Sequence, residues 1–426
     1  MPQVSRILPK TLVLALGVST APFALATNGY LPHGYGVAAK GAAGAGIALA
    51  QDTLSAASNP ALLLSLGNRI DFGLDVFSPR RGSSITGNAF GPDQRVNGND
   101  DDDFLIPEFG YTQQLNPDLA FGLTVNANGG MNTGYERNPY ARFGATGPAG
   151  IDLAQMFLTP ALAFRFAEGQ SLGVGLNLAY QHFKAYGIDT FGQFSSDPLH
   201  VSNKGYDSSS GVGARIGWHG EFTEQLSAGA SWQSKTRMSE FHSYKGLFAN
   251  AGDFDVPEHY TLGLAFKPIP ALALLADYQR INYSDIPAVG NSVSSLFAGK
   301  PLGSHNGPGF GWKDVNVKKF GAVYTVSPTL TLRAGYSDMN QPIPASETFF
   351  NILAPGVMEK HYTLGASFAL TNHASFSTYV AHAPKVSIQG NNSIPPGMPN
   401  QGGMGGGNAN LHMYQNAIGF AFQQTL

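Results

Sequence analysis

The sequence predicts an all-β fold: a transmembrane antiparallel β-barrel of about fourteen strands with an N-terminal hatch plugging the lumen. Three observations predict it. A train of short alternating segments runs to the C-terminus, the connections between them alternate strictly between short and long, and a compact Gly/Ala-rich stretch precedes the first of them.

Residues 1–26 read as a secretory signal. Arg6 and Lys10 form its positive region, Thr11 to Val18 its apolar region, and Ala24-Leu25-Ala26 a small-residue cleavage site. The apolar run is too short for a spanning helix, which needs about 20 such residues. No later segment serves either, since the run from Ile269 to Ala276 contains Pro270 and stops at Asp277. An exported chain without such a helix is either soluble or spans as a closed barrel, the other structure that satisfies its backbone in lipid. The chain has no cysteine, only 12% charged residues, 53 glycines, 28 phenylalanines and 17 tyrosines, which favours the barrel in a Gram-negative outer membrane. A net charge of −3 gives no basis for a nucleic-acid partner.

Residues 27–66 form the expected hatch. Gly41-Ala42-Ala43-Gly44-Ala45-Gly46 is followed by Asp52 to Leu66, where a helix is expected, containing Asn59-Pro60-Ala61. Such small residues allow close packing inside a lumen, and the scarcity of charge argues against a disordered lead.

Residues 67–426 form the expected barrel. Tyr362, Leu364, Ala366 and Phe368 alternate with His361, Thr363, Gly365 and Ser367. Leu330, Leu332, Ala334 and Tyr336 oppose Thr331, Arg333, Gly335 and Ser337; Tyr260, Leu262, Leu264 and Phe266 oppose His259, Thr261 and Gly263. Alternation alone fits a soluble sandwich as well as a barrel. The connections separate them: tight turns at 115–118, 167–170, 223–225, 268–270, 327–329 and 370–373 interleave with long segments at 80–103, 133–151, 188–210, 237–257, 283–315, 338–359 and 385–409. Short periplasmic turns and long external loops produce that rhythm, whereas Greek-key sandwiches do not.

Four segments in order give the chain a resemblance to the FadL/TodX (OmpP1) family of outer-membrane transporters of hydrophobic compounds. They are the hatch segment ending Asn59-Pro60-Ala61; Gly311-Trp312-Lys313-Asp314-Val315 with Gly321 and Tyr324; Leu332-Arg333-Ala334-Gly335-Tyr336 with Pro342-Ile343-Pro344; and Glu359-Lys360-His361-Tyr362-Thr363-Leu364-Gly365. The resemblance implies a fourteen-stranded barrel, a hatch, and passive passage of long-chain fatty acids or similar hydrophobic molecules sideways into the bilayer. Aromatic hydrocarbons are the alternative substrate, and a structural or adhesin-like barrel is the alternative from another class. Outer-membrane lipid and lipopolysaccharide are the expected surroundings of a monomer.

In the strand beginning at Leu119, alternation breaks at Asn126-Ala127-Asn128-Gly129-Gly130. Paired glycines and asparagines inside a strand suggest a bulge that leaves ladder groups unpaired; the alternative is that Gly129-Gly130 begin the external loop. The resemblance implies a kink in the third strand as the lateral opening, which places it at Asn126, Asn128, Gly129 and Gly130. It also matches Lys313 to a lysine near the bound carboxylate, the alternative being a rim lysine paired with Asp314 or a lipopolysaccharide phosphate. Arg333, expected to point inward, is a second ligand candidate, or a structural residue paired with a lumenal acid.

The run Asn99-Asp100-Asp101-Asp102-Asp103 could ligate calcium through oxygen atoms, but it lacks the glycine and closing glutamate of a calcium loop and reads as a solvated external loop. The glycine-rich stretch 398–407 reads as a mobile tip. Gly169-Gln170-Ser171-Leu172-Gly173 has G-x-S-x-G spacing but sits at a tight turn between strands rather than at a strand-to-helix elbow, and H-E-x-x-H does not occur, so no enzyme, cofactor or metal is expected. The chain ends Phe422-Gln423-Gln424-Thr425-Leu426 without the usual aromatic terminal residue; either Leu426 substitutes, or Phe422 ends the last strand.

Overall fold

Alternating side chains that suit lipid on one face and a packed lumen on the other need a sheet without edges, and the chain closes one. The computed structural model describes residues 28–397 and 403–426; the expected leader at 1–26 and Met398 of the glycine-rich stretch lie outside them. The barrel strands are β1 (Arg69–Thr86), β2 (Phe104–Asn116), β3 (Leu119–Tyr135), β4 (Ala149–Ala167), β5 (Gln170–Tyr186), β6 (Asp207–Glu221), β7 (Leu226–Gln233), β8 (His259–Ile269), β9 (Leu272–Ile281), β10 (Val315–Ser327), β11 (Leu330–Met339), β12 (Lys360–Ala369), β13 (Ala374–Ile388) and β14 (Asn408–Thr425). Each pairs antiparallel with its chain neighbours, and β14 closes on β1 from Arg69↔Thr425 to Thr86↔Asn408. Two short strands lie outside this circuit: Gln94–Asn97 pairs with the outer end of β1, and Arg237–Met238 with β6.

The expected alternation faces as a membrane barrel requires. Tyr362, Leu364 and Phe368 are exposed while His361 and Thr363 are buried, and Leu262, Leu264 and Phe266 are exposed while His259 and Thr261 are buried. A belt of apolar side chains therefore meets lipid and polar side chains meet the lumen. The strands extend beyond the expected boundaries: β1 runs to Thr86 rather than giving way to a loop at 80, and β14 continues past Phe422 to Thr425. Ladder pairing carries the strands past the point where alternation in the sequence fades. Phe422 is one more lipid-facing side chain, 42% exposed.

Residues 28–66 fill the lumen. The helix expected over 52–66 is broken in two, a turn at Ser55–Ser58 and a 3-10 segment at Pro60–Ser65. The residue before a proline is pushed out of the helical region, and Asn59 sits at φ −143°, ψ 104°. Its side chain then does what a helical residue could not. Nδ2 donates to the Ile47 and Trp218 carbonyls, both at 2.9 Å, and Oδ1 accepts from the Ala61 N–H at 3.1 Å. Asn59, Pro60 and Ala61 are all buried.

Inward-facing glycines of the wall admit this segment. A Cβ on Gly173 of β5 would collide with Ala61, on Gly217 of β6 with Asn59, on Gly229 of β7 with Ile47, and on Gly335 of β11 with Ala42. The wall is thinned where the hatch backbone lies against it.

Candidate functional site

At the outer end of the barrel, the loops after β3, β5, β7, β9 and β11 converge on a half-open cleft with a cavity volume of about 50 Å³. Tyr140, Phe183, Phe191, Phe248, Phe310 and Phe350 line it with Ile151, Leu247 and Leu302, and no charged side chain is among the lining. Edge-to-face contacts hold the rings: Tyr140 to Phe191 at 4.9 Å and 84°, and Phe191 to Phe350 at 5.5 Å and 79°. Such a surface receives apolar molecules and rejects solutes that need water or ions around them.

Beneath the cleft, an aromatic cage grips the start of the described chain. The Tyr30 ring lies 5.2 Å from Tyr283 and 6.0 Å from both Trp312 and Phe254. The Tyr283 hydroxyl donates to the Asn28 carbonyl and accepts from the N–H groups of Tyr30 and Leu31, both at 3.2 Å. Trp312 is fixed in turn by Nε1 donating to Asn351 Oδ1 at 2.6 Å.

The wall is interrupted beside this cage. The β2–β3 ladder runs from Asn116↔Leu119 to Phe109↔Val125 and stops, so β3 from Asn126 outward has no β2 partner. The next backbone bonds from β3 to the β1–β2 connection come at Gly134, whose N–H donates to the Gly98 carbonyl at 3.2 Å and whose carbonyl accepts from Asp100 at 3.1 Å. On its other side β3 stays paired with β4, but the register slips between Ala127 and Gly129. That bulge leaves Asn128 outside the ladder, and its Oδ1 accepts from the Tyr35 hydroxyl of the hatch at 2.9 Å. Beyond it, residues 128–135 are buried on both faces, so the outer half of the strand has turned inward.

The family model described as outer membrane protein transport protein (OMPP1/FadL/TodX) matches residues 17–425. The chain belongs to this family. Members are outer-membrane transport proteins, so this OMPP1/FadL/TodX protein is an outer-membrane channel of the class that carries hydrophobic compounds. Solved structures agree in fold. The toluene transporter TodX of P. putida shares 16% identity over 92% of this chain and 99% of its own, with a TM-score of 0.67. A Pseudomonas aeruginosa FadL homologue gives 16% identity, 93% and 99% coverage and 0.69, and the Ralstonia pickettii toluene transporter TbuX gives 17%, 92% and 99%, and 0.62. No curated protein matches the chain at a significant level.

Against this FadL/TodX fold, the residues singled out in the sequence separate. Gly129 and Gly130 lie at the interruption, where the Gly130 N–H donates to the Tyr30 carbonyl at 3.1 Å. Asn126 is buried there too, its Nδ2 donating to the Ala127 carbonyl at 3.3 Å. Lys313 does not join them. Its side chain is exposed although its neighbour Trp312 is fully buried, and it is not among the cleft lining. It does not pair with Asp314, whose carboxylate is held by Arg280 at 2.7 Å. Arg333 is turned to the hatch: Nε donates to Gln51 Oε1 at 2.9 Å and Nη1 to Ser367 Oγ at 2.7 Å, with no lumenal acid paired to it among the described residues. The glycine-rich loop also departs from a mobile tip at Met404, which is buried and whose carbonyl accepts from Asn88 Nδ2 at 2.7 Å.

A buried ion cluster was missed in the sequence because its members are far apart. Lys40 of the hatch contacts the carboxylates of Asp75 on β1 and Glu108 on β2, the latter at 2.8 Å. Burial opposes the charge on Lys40, but Asp75 and Glu108 outweigh it and hold the ammonium well above the usual lysine range. Nearby Asp52 accepts from the Ala38 N–H at 3.1 Å. Burial, reinforced by Asp71 and Glu108, pushes its carboxyl up to about 7.

Proposed function

We propose that this channel passively takes up long-chain fatty acids or similar hydrophobic molecules and releases them sideways into the outer membrane. The observation that carries the reading is the loss of β2 from β3 beyond Asn126, beside an apolar outer cleft and above a lumen filled by the hatch. A solute with a long apolar tail gains by leaving water for the cleft, at about 25 cal/mol per Å² of apolar surface removed from water. With residues 28–66 packed across the lumen, the gap in the wall is the shorter way onward, and it opens toward lipid rather than the periplasm. The Asn126, Asn128, Gly129 and Gly130 backbone forms its edge, and Asn59, Pro60 and Ala61 keep the hatch seated. Nothing in this route consumes energy; substrate moves down its gradient through a monomer in contact with membrane lipid and lipopolysaccharide.

Aromatic hydrocarbons are the second reading, favoured by the ring-lined cleft without a cation. Uptake of radiolabelled oleate and toluene by cells lacking their own hydrophobic-uptake barrel separates the two. Oleate uptake dependent on this protein supports the first and toluene alone the second. Transport of neither, with the barrel assembled in the membrane, overturns both and leaves a structural role.

A further inference from the structure

A cation that faces the lumen, is shut away from water and has no anion in direct contact is costly unless something arrives to meet it. Arg81 is in that position. It lies on the inward face of β1 and is 3% exposed. One Nη donates to the Asp101 carbonyl at 2.6 Å and to Asn132 Oδ1 at 3.1 Å, and the guanidinium carbon stands 5.8 Å from the centroid of the Phe104 ring. These contacts orient the group without neutralising it. Of the adjacent carboxylates, Asp102 and Asp103 pair with Arg80 at 3.0 and 3.6 Å, and Asp101 meets Arg81 through its backbone carbonyl. Among the described residues no ion pair includes Arg81, and its Nε is buried without a hydrogen-bond partner.

Two other buried cations lack a carboxylate contact, but both serve the hatch. Lys319 donates to the His33 carbonyl at 2.8 Å, and Arg215 lies 5.7 Å from the Tyr35 ring. Arg81 instead lines a narrow cleft of about 20 Å³, whose walls include Phe77, Met131, Pro355 and Met413 and whose other polar side chain is Asn132. Met131 and Asn132 belong to the stretch of β3 that has lost β2, and Phe104 is the first residue of β2. The cleft therefore borders the interruption in the wall.

We infer that Arg81 is a carboxylate-recognition residue at the lateral gap: its free Nε–H takes one oxygen of an amphiphile's head group while the tail lies along the apolar walls. The inference rests on the uptake reading above and narrows it to substrates carrying an acid group. A charge-assisted bond made in a water-poor cleft is stronger than one at the surface. A neutral ester or hydrocarbon gains nothing from it. No covalent chemistry is involved; the carboxylate binds and leaves.

The test compares [³H]oleate with [³H]methyl oleate, each equilibrated with the full chain in lipid nanodiscs, for wild type, Arg81→Gln and Arg81→Lys. Loss of one charged hydrogen bond predicts about tenfold weaker oleate binding in Arg81→Gln. Methyl oleate binding is expected to stay level, with partial recovery of oleate binding in Arg81→Lys. If both ligands weaken together, or neither changes, Arg81 is a structural tie between β1 and β3 and the inference falls. Should Arg81→Gln fail to assemble, Arg81→Lys and Asn132→Ala, which frees the guanidinium from its orienting oxygen, carry the same comparison. Cellular uptake is scored separately: wild type that moves oleate, alongside an Arg81→Gln variant with unaltered oleate binding, defeats the head-group site alone. Wild type that moves neither ligand defeats the uptake reading, while the binding comparison still decides the role of Arg81.

Discussion

The carbonyl of Tyr30 accepts a hydrogen bond from the backbone N–H of Gly130 at 3.1 Å, where β3 has parted from β2. The hatch thus occupies a position that a neighbouring strand would hold in an unbroken wall. With the Tyr35–Asn128 bond, this contact ties plug to gap, so a change at either is felt by the other.

Valine at Gly129 and Gly130 tests that contact. A Cβ on Gly129 would stand 2.7 Å from the Tyr30 carbonyl oxygen and 2.9 Å from its ring. The double variant is expected to displace Tyr30, narrow the gap and lower oleate uptake several-fold, while heat-modifiable mobility on gels still reports a folded barrel. Unchanged uptake would remove the gap as the exit.

Lys40 is the ionic anchor of the hatch. Lys40→Met leaves Asp75 and Glu108 buried without their cation, a defect worth about 3 kcal/mol or more. Limited proteolysis of membranes is expected to cut the hatch in this variant and spare it in wild type. Equal protection would show that packing against the wall glycines suffices.

Asp52 makes hatch docking depend on pH. Its carboxyl is raised to about 7 in the docked state, by burial and the nearby Asp71 and Glu108 and against the pull of Arg69 and Arg333. The docked hatch therefore binds the extra proton, so this contribution is complete below about pH 4 and is lost as pH rises through about 7. Hatch protection from protease is expected to weaken between pH 5 and 8 in wild type and to weaken less in Asp52→Asn. A wild-type profile flat over that range would contradict it.

Lys313 and Arg333 are expected to part company. Lys313→Ala should alter oleate binding by about twofold or less, the size of effect an exposed and screened charge has. Arg333→Ala removes the bonds to Gln51 and Ser367 and should loosen the hatch without distinguishing oleate from methyl oleate. Selective loss of oleate in either variant would restore it as a head-group contact.

Phe350, partly buried in the outer cleft, tests the point of capture. Phe350→Ala removes apolar contact worth about 1–2 kcal/mol, roughly tenfold in binding, and should weaken oleate and methyl oleate alike. Equilibrium dialysis measures it, and no effect on either ligand would move the first binding step elsewhere.

The wall of this channel was legible in the sequence because lipid imposes a rule on every second residue. Leu262, Leu264, Tyr362 and Leu364 are apolar because they face hydrocarbon, and local alternation is enough to reveal it. The hatch was legible from its small residues, and the disturbance in β3 from Asn126-Ala127-Asn128-Gly129-Gly130. Contacts between distant parts of the chain were not. Lys40 lies 35 residues from Asp75 and 68 from Glu108, and Arg81 lies 51 from Asn132, so no spacing marks them. Nor did alternation say that Gly173, Gly229 and Gly335 face the hatch, since an inward glycine looks the same in sequence whether a lumen is empty or full. Lys313 shows the limit most clearly: it lies just before β10, where the pleat no longer fixes a side chain's direction and loop packing turns Trp312 inward and Lys313 outward. Local chemistry determined which residues make the wall; only the closed tertiary structure decided which charges meet, which stay unmet, and where the wall lets go of a strand.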